Sequence, residues 1–235
     1  GGQDSIGLRC PSHPVAQALI RGFAAGKASG QGGIAAPSAN KFGQVSPTQA
    51  VHVRSEFPEL VTLGMPVLEG GSSDVGIEST IVDLSRIDRG VGPVLLRPGH
   101  ITAAQIEEVL HQSVSDADAQ APRVSGALKS HYAPHTPLQL ASIEELFKIA
   151  RDPQLAAGQR IALVSYSHSH APAFIPAQTA WIAMPNSYAA YGQALYATLR
   201  ALDQAGYTRL IWENVPGSAD WLGVKDRLTR AAAAF

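Results

Sequence analysis

A polar stretch without periodicity, SVSDADAQAPRVSGALKSHYAPHTP over residues 113–137, interrupts an otherwise alternating chain and constrains everything on either side of it. Its three prolines fit neither a helix interior nor a central strand, and its apolar residues recur at neither the helix nor the strand period. Such a segment joins packed layers rather than building one. The sequence therefore predicts two α/β bodies, residues 1–112 and 138–235, with a linker over 113–137.

Beyond the linker, PLQLA reads as a strand and SIEELFKIAR as a helix. RIALVSY and TAWIAMP follow as strands, then a helix over 187–205, the strand RLIWE and a closing helix over 219–234. Strands alternating with helices predict a small parallel, Rossmann-like sheet, with Trp181, Trp212 and Trp221 as core anchors. Ahead of the linker, SIGLR (5–9), GIAA (33–36), PVLEGG (66–71), IESTIVDLS (77–85) and PVLLRPG (93–99) read as strands. Ser12-His13-Pro14 opens a helix that runs to Gly26. Ser46-Pro47 reads as the cap and first residue of a second helix, and Thr102 starts a third over 101–112.

Composition excludes some functions. With 45% hydrophobic residues and a net charge of −1, the chain is no generally basic, nucleic-acid-coating protein. The single cysteine, Cys10, forbids an internal disulfide framework and fits a reducing cytosol; it reads as a small buried apolar residue. No run approaches the ~20 apolar residues that span a bilayer, so no membrane is expected as a partner. GGQDSIGLR has no basic-then-apolar signal pattern and no initiator Met, and the chain is expected to start partway through a longer protein.

The polar residues gather at predicted strand ends, where open α/β sheets bind ligands. GGIAAPSANKFGQVSPTQA (32–50) is the longest such loop. Arg9 and Arg97 can each fork onto a phosphate or carboxylate, and Ser38, Ser46, Thr48, Ser79 and Thr80 supply hydroxyls. Asn40 offers an amide that can read a base or hold a loop. A helix starting at Ser46-Pro47 would add a positive dipole end. Each residue also has a plainer reading as a cap, a turn or a surface ion pair. No GxxxxGK[ST] and no GxGxxG occurs. Residue types alone therefore stop at a polar, anion-accepting pocket. His168 and His170 alternate as metal ligands can, but a solvated loop is the simpler reading. Glu78 and Asp83, five apart on a strand, point to opposite faces and are not expected to act as a pair.

Five motifs in order, DSIGLRCPSHP, APSANKFGQVSPT, GIESTIVDL, VLLRPGHIT and SGALKSHYAPHTPL, closely resemble the two-domain threonylcarbamoyl-AMP synthases. The resemblance implies that residues 1–112 are the second half of a YrdC-like twisted mixed-sheet domain. It further implies that 113–137 fold over the nucleotide and that 138–235 form the accessory α/β domain. The implied reaction makes threonylcarbamoyl-AMP and pyrophosphate from L-threonine, bicarbonate or CO2, and ATP, with Mg2+ assisting. A downstream cytoplasmic transferase then modifies the tRNA adenosine beside the anticodon. Carried over by position, Arg9, Ser38 and Ser79 bind L-threonine, while Ser5, Asn40, Thr48, Arg97 and Tyr132 line the ATP side. His131 in the linker is a cap, a proton partner or an orienting group. No residue is singled out as catalytic, and no protein metal ligand is expected.

The same resemblance implies that the first half of the catalytic domain, with its phosphate-binding basic cluster, precedes Gly1. This chain alone is then expected to be impaired, with exposed sheet edges. An RNA-binding module and a nucleotide or amino-acid sensor are the competing readings. Direct tRNA contact stays open.

Overall fold

A computed structural model describes residues 2–126, 128–152, 154, 158–173 and 175–235. The chain divides into two compact units, Gly1–Lys41 with Pro47–Ser73, and Phe42–Ser46 with Asp74–Phe235.

The first unit is helical and extended. Helix α1 (Pro14–Ala25) starts as SHP predicts, with His13 at the N-cap and Pro14 in the first turn. Its apolar stripe is only partly covered, and Leu19 and Phe23 remain 49% and 44% exposed. Helices α2 (Ala50–Glu56) and α3 (Pro58–Thr62) follow. SIGLR, GIAA and PVLEGG form no strand. A strand is defined by its ladder, and no described segment pairs with theirs. Cys10 lies in this extended run and is exposed, contrary to the buried position expected from its residue type. The helix expected from Ser46 instead begins at Ala50, with Gln49 as N-cap. The Ser46 hydroxyl is spent on Glu78, and the Thr48 N–H donates to the His52 ring at 3.1 Å. At seven residues, α2 provides no substantial dipole seat for phosphate.

The second unit holds two sheets. In the smaller, β1 (Ile81–Asp83) pairs antiparallel with β2 (Val94–Arg97), which pairs parallel with β3 (Ser115–Asp116). The polar segment 113–137 thus contributes a short strand. Helix α4 (Ala103–Leu110) starts with a capping box between Thr102 and Gln105, as its sequence predicts.

The larger sheet is wholly parallel, in the order β4 (Leu138–Ala141), β7 (Arg209–Glu213), β5 (Ile161–Ser165), β6 (Thr179–Ala183). Its central strands are covered on both faces, which is why IALV and LIW read as continuous apolar runs rather than alternations. On one face α6 (Tyr188–Gln204) and α7 (Leu222–Ala232) bury Leu195, Leu199 and Leu228 over Ala162, Val164, Leu210 and Trp212. The other face belongs to α5 (Ile143–Arg151), whose Leu146 and Ala150 meet Ile161, Leu163 and Ile211. Trp212 and Trp221 anchor the core as expected. Trp181 is only half-buried, stacked on Phe147 at 5.4 Å.

Helix α5 carries a second capping box. The Ser142 hydroxyl accepts from the Glu145 N–H at 3.3 Å, while the Glu145 carboxylate takes the Ser142 N–H at 2.8 Å. Ser142→Ala is expected to lower the unfolding free energy by about 1 kcal/mol. A shift of the urea midpoint at constant slope would register it.

Candidate functional site

Glu78, the acidic residue of GIEST, is the centre of a buried polar cluster in the second unit. One carboxylate oxygen accepts the Ser46 hydroxyl at 2.6 Å. The other accepts the Tyr196 hydroxyl at 2.9 Å and Arg227 Nε at 2.8 Å. Arg227 is fully buried on α7. Its remaining donors reach the carbonyls of Pro98 at 2.6 Å and Glu78 at 3.0 Å, and the Asp226 carboxylate at 3.0 Å. Two opposite charges taken out of water are tolerable only when both are this well bonded. Burial pushes the Glu78 carboxyl up, but the Arg227 charge and the hydrogen bonds from Ser46 and Arg227 outweigh it, leaving its pKa below the ordinary value. Burial likewise opposes the Arg227 charge, and Glu78 overrides it, so the pKa of Arg227 is raised. Both groups are therefore ionised at neutral pH.

Arg97 lies beside this pair, at the end of β2. Its Nε and Nη2 donate to the Ser79 carbonyl at 3.1 and 2.9 Å, and Nη1 donates to the Ser125 carbonyl at 3.0 Å. The Ser79 backbone is thereby fixed while its side chain stays exposed. Burial, together with the nearby Arg227 charge, lowers the pKa of Arg97. Tyr132 is also buried, and Gly126 shows how closely it stands to Arg97. A Cβ at Gly126 would lie 2.0 Å from the Tyr132 hydroxyl and 3.2 Å from Arg97 Nη1, at a φ of +77° that a side chain disfavours anyway.

The His131 and Tyr132 rings meet edge to face, 4.2 Å between centroids. Burial holds the His131 ring below its ordinary pKa, with help from the Arg230, Arg97 and Arg227 charges and against the pull of Glu78. The ring is neutral at neutral pH. Burial and Glu78 raise the Tyr132 phenol, against the pull of Arg227 and Arg97.

The helices behind the cluster grip its backbone. Asp203 on α6 accepts the N–H groups of His135 at 3.1 Å and Thr136 at 2.7 Å. Arg200 donates to the carbonyls of Val45 and Ser46. Arg230 on α7 donates to the Leu128 carbonyl and accepts the His131 N–H at 3.2 Å. The polar segment, loose by composition, is held through its main chain.

The nine residues expected to bind substrates therefore fall into two groups. Ser79, Arg97, His131 and Tyr132 come together in the second unit. Ser5, Arg9, Ser38, Asn40 and Thr48 lie in the first. There Arg9 Nη2 donates to the Ala36 carbonyl at 3.1 Å, two residues before the exposed Ser38. The Asn40 amide donates to the Lys41 carbonyl at 2.9 Å, and Thr48 is buried, its carbonyl accepting the Ser73 N–H at 2.9 Å. Glu78 and Asp83 do hold separate partners, since Asp83 pairs with Arg86 at 2.9 Å. His168 bonds its neighbour Ser167 and stands edge-on to Phe147. Among the described residues no group of three or more His, Cys, Asp or Glu could hold a metal ion, and no helix is long and apolar enough to cross a membrane.

Sequence reasoning missed Arg227, Arg200 and Asp203. One signal was available. Arg227 falls on the apolar side of its helix, between Val224 and Leu228, where an arginine needs a buried acceptor.

These features define an α/β protein in which polar loops are clamped by a buried ion pair onto the helices of a parallel sheet. Residues 101–233 match the family model described as threonylcarbamoyl-AMP synthase, C-terminal domain, and residues 1–99 match the model described as telomere recombination. The chain belongs to the threonylcarbamoyl-AMP synthase family. It is 32% identical to the threonylcarbamoyl-AMP synthase of Bacillus subtilis (strain 168), over 98% of this chain and 64% of that protein. It is 29% identical to the Pyrococcus abyssi synthase, over 99% of this chain and 65% of the relative. The Schizosaccharomyces pombe synthase is 28% identical, with coverages of 99% and 58%. The chain thus spans somewhat under two thirds of each relative's length. Among solved structures, P. abyssi Sua5 with an adjacent His and Tyr both replaced by Ala superposes with a TM-score of 0.75 at 25% identity, over 98% of this chain and 64% of that one. P. abyssi Sua5 complexed with L-threonine shares the fold at a TM-score of 0.66 and 24% identity, over 83% and 56% of the two chains.

Proposed function

We propose that this chain belongs to an L-threonylcarbamoyladenylate synthase, a nucleotidyltransferase acting on L-threonine, bicarbonate or CO2, and ATP. The observation that supports it best is the meeting of GIEST, LLRPG and HYAP around Glu78, with the Ser79 hydroxyl facing outward and Arg97 and Tyr132 behind it. In this reading the threonine amine adds to CO2 to form a carbamate. A carbamate oxygen attacks the α-phosphorus of ATP, the bond from that phosphorus to the bridging oxygen breaks, and pyrophosphate leaves with the electron pair. Positioning and fixed charge supply the acceleration, because the protein forms no bond to the reacting atoms.

Arg9 takes the threonine carboxylate, and Ser38 and Ser79 take its polar groups. Ser5, Asn40, Thr48 and Arg97 line the ATP side. Arg97, already bonded to two carbonyls, serves there as a fixed charge. Tyr132, its ring buried against Tyr196 and Arg227, supports the nucleotide side from behind, and His131, neutral, orients that segment. We read His131–Tyr132 as the counterpart of the adjacent His–Tyr pair altered in that P. abyssi structure. Mg2+ is read as entering with ATP, as part of the substrate, and no step is assigned to it. The product serves a tRNA threonylcarbamoyl transferase in the cytoplasm.

Pyrophosphate release tests this directly, with and without L-threonine and bicarbonate, for this chain and for the natural polypeptide that contains it. Release by the natural polypeptide that needs both co-substrates is expected, with this chain much slower. Equal release by both would show that the groups from Arg9 to Tyr132 suffice. Silence from both, with salt-sensitive RNA binding, would replace the synthase by the binding module.

A further inference from the structure

We infer that Arg227 is a positioning residue for the threonine side of the site, acting through Glu78 on Ser79. The inference rests on the synthase reading. Arg227 lies over the Tyr132 ring, 5.6 Å from its centroid, and it fixes both the Glu78 carboxylate and the Glu78 carbonyl, at 2.8 and 3.0 Å. The next carbonyl along, that of Ser79, is fixed by Arg97 at 2.9 Å. Two arginines from different elements thus hold consecutive peptide units, and the exposed Ser79 hydroxyl is aimed by what they hold.

The third Arg227 bond, to the Pro98 carbonyl at 2.6 Å, ties the residue following Arg97 to the same guanidinium. A planar fork with five N–H donors can hold these three acceptors at once; an ammonium group cannot do so with the same geometry. The arrangement goes beyond what a stabilising ion pair needs, because its acceptors include backbone carbonyls of GIEST and LLRPG. Helix α7 thereby sets the loop conformation on which Ser79 is presented, and the C-terminal part of the chain becomes a determinant of amino-acid binding.

The test is steady-state pyrophosphate release by the natural polypeptide containing this chain, comparing wild type with Arg227→Lys and Arg227→Gln at a temperature where circular dichroism shows each variant folded. The expected result is a rise of about 10–100-fold in the KM for L-threonine, with a clearly smaller rise in the KM for ATP, which Arg227 reaches only through the Tyr132 ring and the Pro98 carbonyl. The lysine variant should lie between wild type and glutamine. Unchanged KM values alongside a lowered Tm would reduce Arg227 to a structural role and overturn the inference. A uniform loss of kcat with both KM values intact would also overturn it. If neither variant folds, Ser46→Ala, which strips one hydroxyl from the other side of Glu78, takes the same measurement and the same criteria. A wild type that releases no pyrophosphate would instead overturn the synthase reading itself.

Discussion

Replacing Arg227 by methionine is expected to lower the unfolding free energy by about 3–5 kcal/mol, the usual cost of removing one partner from a buried ion pair. Methionine restores much of the volume, so the loss measures the charge and its bonds rather than a cavity. Glu78 would keep Ser46 and Tyr196 as donors but lose the cation that keeps it ionised. Acid makes the assignment specific. Glu78 has a folded-state pKa below its ordinary 4.5. Its contribution is therefore complete above that value and is lost as the pH falls through the lower, folded one. The wild-type urea midpoint should fall steeply below about pH 4.5 on this account. Without Arg227, burial, the largest influence on Glu78, is opposed by the remaining hydrogen bonds but no longer by that cation, so its pKa rises relative to wild type and the variant's midpoint should fall less steeply over the same window. Parallel acid profiles for the two proteins would show that another carboxylate carries the pH dependence.

The C-terminal sheet was legible because its signals are local and redundant. IALVS and RLIWE are apolar runs of strand length, and Ser142 and Thr102 stand three residues ahead of Glu145 and Gln105. The strands expected in the first unit failed for the opposite reason. SIGLR and GIAA have the right residue types, but a strand needs a ladder partner, and none of the described residues supplies one. Ser46 misled because cap and acceptor-seeking hydroxyl look identical in sequence; Glu78, 32 residues on, decides which it is. The residues of the second unit proposed to bind substrates could be named from motifs, whereas their support could not. Arg227 reaches Glu78 across 149 residues, and no spacing rule encodes that distance. Only the placement of an arginine on an apolar helix face hints at it.

Gly76→Ala should cost about 2–5 kcal/mol, for two separable reasons. Gly76 has φ +81°, a left-handed conformation that costs an L-residue about 1–2 kcal/mol. Its position also leaves no room. An added Cβ would stand 2.3 Å from the Gly192 carbonyl oxygen and 2.4 Å from the Gln193 Cα. Both belong to the backbone of α6, so neither can swing aside as a side chain would, and either the loop or the helix must shift, at about 1–3 kcal/mol. Gly90 provides the control, with φ +78° and nothing within 4 Å of its virtual Cβ. Gly90→Ala bears the conformational cost alone and should lose only about 1–2 kcal/mol. Thermal unfolding at matched pH reads the difference. Gly76→Ala is expected to melt several degrees below Gly90→Ala, since each kcal/mol moves a chain of this size by about 2–4 °C. Equal melting temperatures would mean that the loop ahead of Glu78 yields freely. In that case the contact with α6 would not be what holds GIEST in place, and the fixing of Ser79 would fall to Arg97 and Arg227 alone.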